Sequence, residues 1–132
     1  MNSRNQSMPD AVCLLQPTSP LRTVETINKC IEVMEQGARS VTTVYNGVHP
    51  KKSYYPNGEP VFPTNRPYDK HIDKVLTRSG SVFITRTEYL LDNHLLWMPE
   101  FVVTSKIEAI DIDDYEDWYI AEAIRMRMDE GN

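Results

Sequence analysis

The stretch Asp10-Ala11-Val12-Cys13-Leu14-Leu15-Gln16-Pro17-Thr18-Ser19-Pro20-Leu21-Arg22 decides how the chain is read. Ala11 to Leu15 is a short apolar run with the length of a buried strand. It stops at Gln16. Pro17 and Pro20 each lack an N–H and restrict the residue before them, so neither a helix nor a central strand runs through them. An amide, two hydroxyls and an arginine stand around those prolines. An amphipathic helix pattern follows at once. Strand, polar turn, helix is the outline of an α/β unit, and in open α/β sheets ligands sit at the carboxyl ends of strands. On the residues alone, Gln16 to Arg22 reads either as a binding turn or as a well-capped loop.

The helix runs from an N-cap at Thr23 through Gln36, with apolar positions 24, 27, 30, 31 and 34 forming one face. Glu25 suits its first turn through the helix dipole, and Gly37 ends it as a left-handed cap. Ser40 to Tyr45 is β-branched and predicts a second strand with Asn46-Gly47 as its turn. Tyr54 to Phe62 suggests a small hairpin closed by Asn57-Gly58, kept at the surface by its prolines. Residues 63–76 are irregular and charged, the kind of stretch that serves as a functional or partner-binding loop. Ser79 to Arg86 predicts a third strand, Thr87 to Asn93 a short helix and Phe101 to Thr104 another strand. A last helix starts after Asp114, its cap, with Tyr115, Trp118, Ala121, Ile124 and Met128 on one face.

Composition narrows the function. The formal net charge is -5 with no block of lysine or arginine, which argues against general nucleic-acid binding. That balance leaves room for a small anionic ligand held by a few placed cations. No apolar run approaches the roughly 18 residues of a membrane span, and residues 1–9 are polar, without a signal-peptide core. Cys13 and Cys30 have no metal-site spacing and read as reduced packing residues of a cytoplasmic protein.

The second informative stretch is Ile110-Asp111-Ile112-Asp113. On an extended backbone, residues two apart share a face, so Asp111 and Asp113 stand together. Two close carboxylates repel unless a cation or solvent screens them. Oxygen ligation of that kind suits Mg2+, which takes one or two carboxylates and completes its shell with waters and phosphates. The alternative is an acidic approach to a helix N-terminus, with Asp113, Asp114, Glu116 and Asp117 complementing the dipole. His49, His71 and His94 are scattered and form no triad or metal pattern. Ser19 lacks the G-x-S-x-G setting of a hydrolase nucleophile. No glycine-rich phosphate loop of either common type occurs. Arg78-Ser79-Gly80 opens a strand with a cation, a hydroxyl and a flexible backbone, suited to an anion or to ordinary strand punctuation.

The nine residues Leu14 to Arg22 resemble the LLQPTSPLR signature of the acylneuraminate cytidylyltransferases, the CMP-N-acetylneuraminic acid synthetases. Arg78-Ser79-Gly80-Ser81-Val82-Phe83 occupies the place of that family's glycine-bearing strand. Ile110 to Asp113, followed by Ala121-Glu122, occupies the place of its terminal IDID and AE. The resemblance implies an α/β three-layer domain of the nucleotide-diphospho-sugar transferase type, Rossmann-like and incomplete at its N-terminus. It implies transfer of CMP from CTP to a sialic-acid-like nonulosonic acid, with release of pyrophosphate. Carried over by position, Gln16 contacts the sugar, with Thr18, Ser19 and Arg22 around it. Arg78, Ser79 and Gly80 form the sugar-side wall, and Asp111 and Asp113 hold a catalytic Mg2+ or Mn2+. The family's dimeric habit implies a homodimer, with residues 48–76 as an insertion and the Trp97 region as a further contact.

Two departures qualify that picture. The family's first strand and its A-R-x-G-S-K loop for CTP are not in this sequence, so residues 10–128 correspond to a C-terminal part. The resemblance then implies a chain inactive by itself and completed by a separately encoded N-terminal half. Arg66 also falls outside the usual spacing of the substrate arginine, and Ser79 replaces Asn or Thr, which leaves the sugar open. The rival readings are a non-catalytic sugar-binding or assembly fragment, and a synthetase for another ulosonic acid.

Overall fold

A mixed four-stranded sheet carries the structure, a computed structural model that describes residues 7–47, 52–61, 75–92 and 99–131. In chain order the elements are β1 (Ala11–Leu14), α1 (Val24–Glu35), β2 (Ser40–Tyr45), β3 (Thr77–Arg86), α2 (Thr87–Leu91), β4 (Glu100–Val103) and α3 (Tyr115–Glu130). The strand order is β1-β3-β2-β4. β3 runs antiparallel to both β1 and β2, and β4 runs parallel to β2. This is the expected α/β class, and it accords with a nucleotidyltransferase-like domain.

The core lies between α1 and the centre of the sheet. Cys30 and Met34 pack on Val41, Val82 and Ile84, with Ala11, Ile27, Val33 and Val102 around them. Burying each such side chain contributes on the order of 1.5–3 kcal/mol before entropy is counted. Thr23 caps α1 by accepting from the Thr26 N–H at 3.2 Å. At the other end Gly37 takes φ +103°, and Arg86 donates from Nε to the Ala38 carbonyl at 2.9 Å and from Nη2 to the Met34 carbonyl at 3.1 Å. The guanidinium thus adds a donor to the last turn of the helix, where the Met34 carbonyl also accepts the Gly37 N–H, and complements its dipole.

Several expectations need correction. β1 is an edge strand, not a buried one: Val12 and Leu14 are 40% and 42% exposed, because β2 and β3 occupy the centre of the sheet. On α1 the buried positions are Thr26, Cys30 and Met34, whereas Val24 and Ile31 face solvent. The helix is turned that way because the Thr26 hydroxyl is tied to Glu108, as described below. On α3 only Ala121 is buried; Tyr115, Trp118 and Met128 are exposed. Its apolar residues include Tyr119, Ile120 and Met126 and so surround the helix rather than forming a stripe. The expected hairpin reduces to a single bridge, Tyr54 with Pro60, around the turn at Gly58. Most of the 48–76 insertion, His49, His71, His94, Arg66 and Trp97 lie outside the described residues. No helix of the described residues is long and apolar enough to cross a membrane.

Both cysteines are free. Burial pushes the Cys30 thiol up to about 11, with Cys13 adding to the shift. Cys13 is exposed, its thiol raised by partial burial and drawn back by Arg22. A disulfide exchange reagent at pH 8 is therefore expected to label one thiol in the native chain and the second only after unfolding. Two equally reactive native thiols would contradict this packing.

Candidate active site

The turn after β1 is fastened to its surroundings by backbone and by one guanidinium. Ser19 N–H donates to the Gln16 carbonyl at 3.3 Å, and Arg22 N–H to the Ser19 carbonyl at 3.4 Å. Arg22 Nη1 donates to the carbonyls of Gln16 and Ser81, each at 2.9 Å. Arg22 therefore holds the turn onto β3. Ser19 is buried at 3% exposure with its Oγ unpartnered, so it faces protein rather than an open site. Thr18 accepts the Ile112 N–H at 2.9 Å through its carbonyl, joining the turn to the aspartate segment.

β3 is irregular where it meets the turn. Thr42 pairs with Phe83 but Val44 with Arg78, so extra residues of β3 bulge between them. Gly80 sits in that bulge at φ +74°, a conformation that glycine adopts without strain. A Cβ there would stand 3.2 Å from the Phe83 ring and 3.6 Å from Gln16 Oε1, which places the Gln16 amide against the bulge. The ladder bonds lost at the bulge are replaced by a hydroxyl. Thr43 Oγ1 lies 2.7 Å from Ser79 Oγ and 2.8 Å from Ser81 Oγ, and accepts the Val82 N–H at 3.2 Å. Bulges of this kind re-aim side chains beside functional sites. Here Arg78 and Ser79 line a pocket, and the Arg78 guanidinium lies 6.0 Å from the centroid of the Phe83 ring.

The opposite wall is the segment between β4 and α3. Residues 110–113 are not a strand: they have no ladder partner beyond Ile112 N–H to Thr18. Even so, Asp111 and Asp113 line the polar pocket while Ile112 lines an apolar groove with Pro20, Leu21 and Trp118. The segment is anchored by Glu108, whose carboxylate accepts from Thr26 Oγ1 at 2.5 Å and Thr23 Oγ1 at 3.3 Å. Asp114 Oδ1 caps α3 by accepting the Asp117 N–H at 2.8 Å, and Asp117 Oδ2 accepts the Asp113 N–H at 3.0 Å. Replacing Glu108 with alanine is expected to cost about 1–2 kcal/mol and to speed amide exchange at Ala109 and Ile110. Unchanged exchange there would show that Glu108 does not hold the segment.

The pocket, about 390 Å3, therefore gathers Arg78, Ser79, Asp111 and Asp113 from distant parts of the sequence. Tyr45, Lys106 and Asp117 line it too and were not expected from the sequence. Gln16 and Gly80 stand beside it at the bulge, whereas Ser19 and Arg22 serve the turn itself. The apolar groove under Trp118, about 460 Å3, lacks this convergence of charge.

The Asp113 carboxyl is held above its ordinary range, mainly by the neighbouring Asp111 carboxylate, with slight desolvation and the Asp117 and Asp114 charges adding. Asp111 Oδ1 is buried with no hydrogen-bond partner. A crowded carboxylate pair with an orphaned buried oxygen suits a cation. Among the described residues no group of three or more His, Cys, Asp or Glu could hold a metal ion. The pair by itself thus offers two carboxylates, fewer ligands than a cation caged by protein alone takes.

The chain is 27% identical over 138 aligned residues to the CMP-N,N'-diacetyllegionaminic acid synthase of Legionella pneumophila subsp. pneumophila strain Philadelphia 1, covering 87% of this chain. The chain is a distant homologue of that synthase. This relation agrees with the resemblance carried by Leu14 to Arg22 and by the paired aspartates. The aligned region is 53% of the synthase, so the chain spans about half the length of the curated relative it matches. No protein-family profile matches the chain.

Proposed function

We propose that this chain supplies the sugar-and-metal side of a cytidylyltransferase that transfers CMP from CTP to a nonulosonic acid and releases pyrophosphate. The observation that carries the reading is the pocket that joins Arg78 and Ser79 to Asp111 and Asp113, beside the Gln16 turn. Gln16 offers a neutral amide to sugar hydroxyl and amide substituents, and Ser79, its hydroxyl engaged by Thr43, shapes the wall beside it. Arg78 offers a cation to an anionic group. Asp111 and Asp113 would hold Mg2+ or Mn2+. When bound there, such an ion neutralises phosphate charge and favours ionisation of the attacking hydroxyl. Held reactants and fixed charge supply the larger part of the rate in transfers of this kind.

The reading includes a partner. β1 and β4 are the two edges of the sheet, and their side chains Val12, Leu14, Phe101 and Val103 are exposed. The registers put all four on the face opposite α1. The β1 edge carries no charge, proline or bulge of the sort that protects exposed edges. A second polypeptide bearing the CTP phosphate loop would cover that edge, and a homodimer would form through other surfaces. A synthase for another ulosonic acid remains compatible with the same pocket.

The test is product formation. The purified chain is mixed with CTP, Mg2+ and N-acetylneuraminate or N,N'-diacetyllegionaminate, with and without the unmatched half of the Legionella synthase. No CMP-sugar is expected from the chain alone, and CMP-sugar is expected from the mixture. Product from the chain alone would overturn the assignment of CTP binding to a second polypeptide. Failure of the mixture to bind or convert either sugar would count against the whole reading.

A further inference from the structure

The polar pocket has two poles. Asp111, Asp113 and Asp117 form the acidic one, and Arg78 and Lys106 are the cations lining the same cavity. Opposite charges sharing a cavity ordinarily close into ion pairs. Here, among the described residues, neither Arg78 nor Lys106 makes one, and the ion pair found is Arg125 with Asp129 on α3. Arg78, assigned above to an anionic group, lies over the Phe83 ring. Lys106 stands on a firm base: Ser105 Oγ accepts the Glu108 N–H at 3.2 Å, the Ser105 carbonyl accepts the Ala109 N–H at 3.2 Å, and Glu108 is itself tied to α1. Its ammonium is a compact point charge with three donors, well suited to anionic oxygens. Its backbone is fixed, and among the described residues it makes no ion pair in a pocket whose acidic pole already has a use.

A nonulosonic acid carries a carboxylate on the carbon that bears its reacting hydroxyl. An enzyme for such a sugar must place that anion away from the acidic pole while keeping the hydroxyl near it. We propose that Lys106 holds the sugar carboxylate and so selects acid sugars over neutral ones. This proposal rests on the function proposed above. Anionic oxygens of a nucleotide phosphate have the same chemistry, so the test separates the two sources.

The experiment is an NMR-detected titration of the 132-residue chain, with Mg2+, against N-acetylneuraminate, its neutral methyl ester and CTP in separate arms. Lys106→Gln is expected to weaken N-acetylneuraminate binding about 10-fold and leave the methyl ester unchanged. Lys106→Arg is expected to retain most of the affinity, and Lys29→Gln, on α1, to match the wild type. A loss confined to CTP would overturn the carboxylate assignment in favour of phosphate. Equal sugar affinity in wild type and Lys106→Gln would overturn the role of Lys106 while leaving the functional reading intact. A wild-type chain that binds neither sugar acid nor ester would overturn both.

Discussion

Replacing Arg22 with alanine is expected to destabilise the chain by about 3 kcal/mol, a fall in melting temperature on the order of 10 °C. The guanidinium bridges the turn and the sheet by donating to the Gln16 and Ser81 carbonyls. Ser81 is buried, and Gln16 is partly so. Truncation therefore removes two charge-assisted bonds; the Gln16 carbonyl keeps the Ser19 N–H, and the Ser81 carbonyl loses its guanidinium donor in a crowded place. Lysine is expected to recover part of the loss, because both bonds leave from the one nitrogen Nη1 and an ammonium also carries more than one donor. Thermal unfolding of the three proteins measures this directly. A change below about 0.5 kcal/mol in Arg22→Ala, the range of ordinary surface substitutions, would show that the turn is held without the guanidinium, by its prolines and backbone hydrogen bonds. The same variant is expected to raise amide exchange at Ile112, whose N–H donates to the Thr18 carbonyl of the turn.

The second large effect concerns Asp111 and Asp113. In the mixture proposed above with the unmatched part of the synthase, Asp113→Asn or Asp111→Asn is expected to lower CMP-sugar formation about 100-fold or more, through loss of the cation that the pair would hold. In the chain by itself the sign differs. Asp111 raises the Asp113 carboxyl above its ordinary range, so the folded state binds that proton more tightly than the unfolded one. The repulsion is absent below the usual carboxylate range and grows as pH rises through the raised value. Asp113→Asn should therefore slightly raise the metal-free melting temperature at neutral pH. It should also abolish the further rise that Mg2+ gives the wild type. A variant that keeps both the Mg2+ response and full turnover would remove the pair from the metal.

Much of the fold was legible because it rests on local chemistry. Thr23, Gly37 and Asp114 cap where capping rules place them, and the β-branched runs at 40–45 and 79–86 are the two central strands. Burial was less legible, because it depends on neighbours. An apolar run such as Ala11 to Leu15 does not disclose that it sits at an edge. The helical spacing of α1 does not disclose that a threonine bonded to Glu108 takes an inward position. For the site, chemistry-bearing pairs were visible in Asp111-Ile112-Asp113 and Arg78-Ser79, but their meeting in one pocket depends on the β3 bulge. The bulge depends in turn on Thr43, one of several β-branched residues with nothing to mark it. Arg22 and Ser19 illustrate the converse. They belong to the most specific stretch of the sequence, yet their geometry serves the turn.

The central claim is that the pocket between the β3 bulge and the aspartate segment receives the sugar. Amide shifts of the isotope-labelled chain on addition of N-acetylneuraminate with Mg2+ test it most directly. The largest changes are expected at Arg78, Ser79, Gly80 and Asp111 to Asp113, diminished in Asp113→Asn. No change at these amides, or changes confined to the apolar groove around Trp118 and Ala121, would contradict it.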